Sequence, residues 1–174
     1  MATMILLPDD TGISSTHWIA VGQSTRHEAL DSDDGVTSYV KCNDDNVYMI
    51  IEFANPSVAE GDIASIDSVR FLSSGKSVHR SDPSLVAIAF EAPTSGFSQI
   101  CSYDAHRTNY ETINRTARTT HDGTHAWSYA NLEDLEMKCT KSGTVEVYLS
   151  YLALEVTYTE AVSADNATFF GANF

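Results

Sequence analysis

The chain has 174 residues, the size of a single domain, and 43% of them are hydrophobic while 20% are charged. This composition supports a buried core and excludes a disordered chain. Ten Lys and Arg against 24 Asp and Glu give a net charge of −14, which repels phosphate backbones, so we expect no nucleic-acid partner. The longest apolar stretch, residues 147–156, is far shorter than the roughly 20 residues of a membrane helix, so we expect no membrane contact.

Residues 1–15 lack the alternating pattern of a strand, and we interpret them as an extended N-terminal arm. They also lack the positively charged start and the small-residue cleavage site of a secretory signal. The sequence therefore predicts a protein that is made and folded in a cytoplasm. The apolar residues Ile5, Leu6 and Leu7 of this arm are candidates for contact with a neighbouring subunit.

Residues 16–159 consist of alternating or continuously apolar runs separated by turn residues, which is typical of strands. The clearest run extends from Val145 to Tyr158, and its alternation slips between Leu149 and Ala153, where we expect a bulge. About eight strands at roughly ten-residue spacing predict an all-β fold, an antiparallel two-sheet β-sandwich of jelly-roll type. The other runs are residues 46–53, 65–72 and 85–90, and residues 97–103 and 110–118 alternate more weakly.

One segment has a helical pattern. Asn131 can cap a short helical turn over residues 131–136 that carries Leu132 and Leu135 three residues apart. We expect this single turn to close one end of the sandwich.

Residues 160–174 form a predicted C-terminal arm that contains three phenylalanines in its last six residues, Phe169, Phe170 and Phe174. An exposed aromatic cluster promotes association unless another surface covers it. We therefore expect the arm to dock on a neighbouring subunit with the phenylalanines as anchors. The sequence thus predicts a homo-oligomer built from a sandwich over 16–159 with an arm at each end.

A series of landmarks along the sandwich has a recognisable order. They are Trp18, Val21-Gly22, the acidic turn 31–35, residues 37–40, 51–53 and 66–71, Trp127-Ser128, Leu132, Leu135 and residues 154–158. This order resembles the β-sandwich module of structural proteins of tailed bacteriophages, which occurs in head-decoration, neck and tail-associated components. The resemblance covers residues 16–159 and includes no catalytic motif. It implies a non-enzymatic virion structural protein that is made in the host cytoplasm.

Within a virion, the acidic surface and the small size favour a capsid decoration or cement protein that faces solvent. Such a protein would bind neighbouring virion proteins, such as the major capsid protein, through its arms. A neck, tail or tail-fibre component is one alternative. A carbohydrate-binding module is another, because β-sandwiches present aromatic platforms and polar side chains to sugars. The candidate platform residues are Trp18, Tyr103, Tyr110, Trp127 and Tyr129.

The acidic loop that contains Asp31, Asp33 and Asp34 is a candidate Ca²⁺ site, because clustered carboxylates are hard oxygen ligands. An EF-hand loop needs Gly at its sixth position and Glu at its twelfth, where this sequence has Val36 and Cys42. We therefore expect a solvated acidic turn and no cofactor.

His121, Asp122 and His125 surround a glycine turn and form a second candidate metal site. Neither a fourth ligand nor a glutamate base lies beside them in the sequence, so we interpret them as surface loop residues. The chain also lacks a Gly-x-Ser-x-Gly nucleophile elbow. We expect no catalytic site and no enzymatic activity.

Overall fold

The structure is a computed structural model that describes residues 1–12, 17–32, 34, 37–77, 85–92, 96–104, 111–114, 116–133 and 135–162, with the backbone alone for 85–92, 96–104 and 111–114. Within these ranges it contains eleven strands and two short 3-10 turns, at Glu60–Asp62 and Tyr129–Asn131. The strands are β1 (Ala2–Leu6), β2 (Pro8–Asp10), β3 (Ile19–Val21), β4 (Tyr39–Cys42), β5 (Val47–Phe53), β6 (Ile63–Ser77), β7 (Leu85–Ala92), β8 (Gly96–Asp104), β9 (Glu111–Asn114), β10 (Glu136–Ser142) and β11 (Val147–Glu160). No helix in the described part of the chain is long and apolar enough to cross a membrane.

The described strands form two antiparallel sheets. Sheet A has the order β3-β4-β11-β6-β9, and β1 also pairs with β11. Sheet B has the order β2-β5-β10-β7-β8. The two sheets enclose one hydrophobic core, so the antiparallel two-sheet β-sandwich predicted from the sequence is confirmed.

The core follows the alternation of the strands, because successive side chains of a strand point to opposite faces. In β5 the inward residues Met49, Ile51 and Phe53 are buried, while Tyr48, which precedes them and points to the opposite face, is exposed. In β11 the register shifts between Leu149 and Tyr151, within the segment where the sequence predicts a bulge, and that prediction is confirmed. The inward residues of β11 on either side of the shift are Val147, Leu149, Leu152, Leu154 and Val156.

Most of the first ten residues form two strands instead of an arm. β1 pairs with β11 over residues 154–158, and β2 pairs with the end of β5, so one continuous segment joins both sheets. Met4 and Leu6 point into the core, whereas Ile5 between them is 48% exposed. The prediction of an N-terminal arm is therefore wrong for residues 2–10. Leu6 packs inside its own domain, so it is not a contact for a neighbouring subunit.

The helical turn also differs from its prediction. The structure has a 3-10 turn at Tyr129–Asn131, and β10 already begins at Glu136. The Asn131 Oδ1 atom accepts hydrogen bonds from the backbone N–H of Ser128 at 3.0 Å and from its hydroxyl at 2.7 Å. Asn131 therefore ends the turn, whereas the sequence predicts that it begins one.

The C-terminal arm lies mostly beyond the described ranges. β11 continues to Glu160, which the sequence assigns to the arm, and the backbone N–H of Ala161 donates to the Asp62 carbonyl at 2.8 Å. Phe169, Phe170 and Phe174 lie outside the described residues, and their role as anchors stays a prediction.

Candidate ligand-binding cleft

A cleft of about 490 Å³ opens along one side of the sandwich. β2 ends sheet B and β3 ends sheet A, and residues at the end of β2 and in β3 line the same cleft. The cleft is lined by residues 10–11 at the end of β2, by 18–20 at the start of β3, and by 24–27 in the segment that follows β3. Strand pairing therefore brings together side chains that are separated along the chain.

The segment 22–32 follows β3, and its residues 24–27 form one wall of the cleft, here called the outer wall. Its residues Ala29 and Leu30 are completely buried in the core. The Leu30 carbonyl accepts a hydrogen bond from the backbone N–H of Leu152 in β11 at 3.0 Å. The outer wall is thus fixed to the central strand of sheet A.

Gly22 makes the turn between β3 and this wall. Its φ is +86°, and a Cβ atom at this position would lie 2.1 Å from the Thr37 carbonyl oxygen. We expect Gly22→Ala to lower the free energy of unfolding by at least about 2 kcal/mol, because alanine disfavours this backbone conformation and the Thr37 carbonyl must move. Urea denaturation measures the loss. Gly61→Ala is the matched control, since a Cβ there meets nothing within 4 Å, and equal stability of the two variants would contradict this account.

A histidine joins the two walls of the cleft. The His27 Nδ1 atom lies 3.3 Å from the Thr11 hydroxyl, and its Nε2 atom lies 3.2 Å from the Thr25 hydroxyl. A neutral imidazole has one donor and one acceptor nitrogen, and a hydroxyl can serve as partner to either. His27 therefore holds the Thr11 and Thr25 hydroxyls in fixed positions across the cleft.

Two carboxylates lie at or near the cleft: Asp10 lines it at the end of β2, and Glu28 directly follows the lining residues of the outer wall. Asp10 is exposed and accepts a hydrogen bond from the Thr11 backbone N–H at 2.6 Å. Glu28 accepts hydrogen bonds from the Ser24 hydroxyl at 2.6 Å and from the Thr25 backbone N–H at 3.0 Å. The bond from the Ser24 side chain, followed by those from Thr25, lowers the pKa of Glu28, so this carboxylate stays ionised at neutral pH.

Trp18 and Arg26 form the inner part of the cleft. Trp18 is completely buried, and its backbone carbonyl accepts a hydrogen bond from the Arg26 Nε atom. Burial lowers the pKa of Arg26 from its usual value. The Trp18 indole N–H is buried and has no hydrogen-bond partner among the described residues. An unpaired buried donor is uncommon in folded proteins and is costly to leave unsatisfied.

The aromatic residues predicted as a sugar platform do not form one in the described part of the chain. Trp18 and Trp127 are buried, and the Tyr129 hydroxyl donates to the backbone of the loop before the first 3-10 turn at 3.0 Å. The side chain of Tyr103 and all of Tyr110 lie outside the described residues. Of the described residues of this set, only Trp18 lines the cleft, and it is a wall residue rather than an exposed platform.

Among the described residues, several aromatic side chains that are exposed or half-buried lie on the outer faces of the two sheets. Tyr48 faces outward from β5, and the Lys138 ammonium lies 4.4 Å from the centre of its ring. On sheet A, the Tyr39 and Tyr148 rings meet edge to face at 5.4 Å, and the hydrogen bond to Glu146 raises the pKa of Tyr148 to about 12. The alternation of β5 and β11 could have identified Tyr48 and Tyr148 as outward residues.

The acidic loop bonds to itself where it is described. The Asp34 carboxylate accepts hydrogen bonds from the Ser38 backbone N–H at 3.2 Å and from its hydroxyl at 2.7 Å. Hydrogen bonds from Thr37 and then Ser38 lower the pKa of Asp34. Asp31 is half-buried, and Asp33 lies outside the described residues, so a Ca²⁺ site at this loop stays a hypothesis.

The two histidines of the second metal candidate face different partners. The His125 Nδ1 atom lies 2.7 Å from the Asp122 carboxylate, whereas His121 is buried with its ring 4.7 Å from the Trp127 ring. Hydrogen bonds from His125 hold the pKa of Asp122 well below its usual range. Among the described residues, no group of three or more His, Cys, Asp or Glu side chains is arranged to hold a metal ion.

The sequence matches no known protein-family model and no curated protein. Its fold is similar to that of the CBM36-1 domain of a multidomain xylanase from the hindgut metagenome of Trinervitermes trinervoides. That match has a TM-score of 0.52 and 7% identity, and it covers 92% of this chain and 100% of that one. The fold is also similar to the C-terminal CBM6 of LamC, a marine laminarinase from Zobellia galactanivorans. Here the TM-score is 0.50, the identity is 9%, and 90% of this chain and 100% of that one are covered.

At these identities the matches establish the fold alone. The chain is a β-sandwich of the type that these two carbohydrate-binding domains share. Neither of the two is a virion protein, and the resemblance to bacteriophage modules stays a prediction.

Proposed function

We propose that this chain is a non-catalytic carbohydrate-binding module and that its binding site is the cleft between β2 and β3. The observation that carries the proposal is the lining of the cleft, where hydroxyl, carboxylate and imidazole groups lie beside an apolar surface. The sandwich similarity to two carbohydrate-binding domains supports it.

The lining suits the chemistry of a sugar ring. A sugar presents hydroxyl groups at its edge and apolar C–H groups on its face, so its site needs a few polar groups in fixed positions and an apolar surface. Thr11, Thr25 and His27 are held in place by their mutual hydrogen bonds. Ile19, which is 51% exposed, and Ala20 provide apolar surface on β3.

The cleft supports binding better than catalysis. Canonical glycoside hydrolysis uses two facing carboxyl groups, one of which acts as a general acid with a raised pKa. Among the described lining residues, Asp10 is the one carboxylate. Glu28 nearby has a lowered pKa because Ser24 and Thr25 donate to it, and this opposes a role as general acid.

We expect Ser24→Trp to weaken glycan binding about tenfold or more, because an indole at the rim fills the cleft and removes space from the ligand. Retention of wild type and variant in gels that contain single polysaccharides measures the effect. Ser57→Trp adds the same side chain at an exposed residue that does not line the cleft, and we expect it to bind as wild type does.

Thermal unfolding of both variants confirms that each is folded before binding is compared. The proposal is wrong if wild type is retained by no polysaccharide in a broad panel. It is also wrong for this cleft if Ser24→Trp binds as tightly as wild type.

A further inference from the structure

We infer that the cleft selects uncharged glycans and rejects glycans that carry carboxylate or sulfate groups; this inference rests on the proposed function. The inference concerns which ligand charge the cleft accepts, and the side chains at the rim determine this preference. Two carboxylates and one guanidinium are the groups that decide it.

The rim of the cleft is negatively charged. Asp10 lies at the end of β2, is exposed, and lines the cleft. Glu28 carries a second negative charge one residue beyond the lining of the outer wall. An anionic sugar that enters the cleft must approach these carboxylates, and like charges placed together oppose binding.

The described lining offers an anion one permanent cation, Arg26. Its Nε atom donates to the Trp18 carbonyl, which holds the guanidinium against the inner wall. Recognition of a carboxylate or sulfate by arginine relies on paired N–H groups in a fork. Because the Arg26 Nε–H already bonds to the backbone, the fork that uses Nε is occupied, and a ligand can bind only to the Nη groups.

His27 does not replace this missing partner. Both of its ring nitrogens lie within hydrogen-bond distance of threonine hydroxyls, Thr11 on one side and Thr25 on the other. Its ring therefore organises the neutral hydrogen-bonding groups of the cleft. These hydroxyls can donate to and accept from sugar hydroxyls, which carry no charge.

The net charge of the whole protein is −14, which has the same sign as the charge of the rim. Salt screens exposed charges beyond about 10 Å at 0.1 M ionic strength, so carboxylates at the cleft influence a bound sugar more than distant ones do. Replacing a carboxylate at the rim should therefore change the selectivity, and replacing a distant one should not.

The test compares two forms of one polymer that differ in charge. The neutral polysaccharide that wild type binds is compared with a partly carboxymethylated derivative of the same polymer. Hydroxyethyl cellulose and carboxymethyl cellulose are an example of such a pair on one glucan backbone. We expect the carboxymethylated form to bind about tenfold more weakly or worse at low salt, and the difference to shrink near 0.5 M salt because repulsion is screened.

Asp10→Asn should reduce the ratio of the two affinities about threefold, since it removes one rim charge and keeps the shape of the side chain. Glu160→Gln is the matched control. Glu160 is exposed and lies twelve residues from Tyr148 along β11, which is roughly 40 Å of strand. Tyr148 is level with Ile19 of the cleft, because both residues pair with Lys41 of β4.

Three results separate the possible failures. If no polymer is bound, the proposed function fails. If the carboxymethylated form binds as tightly as the neutral form or more tightly, glycan binding stands and the inference about charge is wrong. If Glu160→Gln changes the ratio as much as Asp10→Asn does, the rim of the cleft does not determine the selectivity, and the inference is also overturned.

Discussion

Replacing Lys141 by methionine is expected to lower the free energy of unfolding by about 2–4 kcal/mol. Lys141 is completely buried in β10, and its ammonium donates to the Asp44 carbonyl at 2.8 Å and to the Gly143 carbonyl. Asp44 lies in the turn from β4 to β5, and Gly143 lies in the turn from β10 to β11. Both turns cross between the sheets, so this side chain joins two crossovers at one end of the sandwich.

Methionine keeps the volume of the lysine stem and removes the donors. Two backbone carbonyls then lose charge-assisted hydrogen bonds, and each such loss costs about 1.5–3 kcal/mol. Relief from burying an ammonium offsets part of this cost. Chemical denaturation followed by tryptophan fluorescence measures the difference.

Lys138→Met is the control on the same strand. Lys138 points to the outer face, where its ammonium lies over the Tyr48 ring, and its loss should cost less than about 1 kcal/mol. If Lys141→Met is as stable as Lys138→Met, the lysine does not hold the two turns together.

Leu6→Ala is expected to destabilise the domain by about 2–5 kcal/mol, because truncation of a buried leucine loses hydrophobic contact and leaves a cavity. Leu6 is 2% exposed and pairs with Leu154 of β11. The following strand, β2, belongs to the other sheet. Loss of packing at Leu6 therefore loosens the segment that joins both sheets.

Ile5→Ala removes a similar volume from the neighbouring position. Ile5 is 48% exposed on the outer face of β1, so its truncation should cost less than about 1 kcal/mol. Urea denaturation compares the two variants. Equal destabilisation would contradict the alternation of β1. Light scattering adds a second readout, since a change of oligomeric state in Ile5→Ala would support the predicted contact of Ile5 with a neighbouring subunit.

The sequence predicts a strand well where the strand is long and its inward residues are all apolar. β5 is such a case, because Met49, Ile51 and Phe53 alternate with outward residues. β10 is not recognised, because the third of its inward residues is Lys141 and the buried lysine interrupts the apolar pattern. β1 contributes two buried residues, Met4 and Leu6, which is too short a pattern to distinguish from an unstructured arm.

The cleft could not be predicted in the same way. Alternation indicates which side chains of one strand share a face, but it does not indicate which strand edges meet. Asp10 and Ile19 line one cleft because β2 and β3 end the two sheets on the same side. The sequence does identify Trp18 as a candidate sugar-platform residue, and the structure places it in the wall of the cleft as a buried residue.

An NMR titration tests the central claim most directly. An oligosaccharide of the neutral polymer that the protein binds is added to the ¹⁵N-labelled domain, and the amide shifts are mapped onto the sequence. We predict that the largest changes fall on the cleft, at Thr11, Ile19 and Thr25. Changes confined to the outer sheet faces around Tyr48 or Tyr148, or no changes with any glycan, would contradict the account.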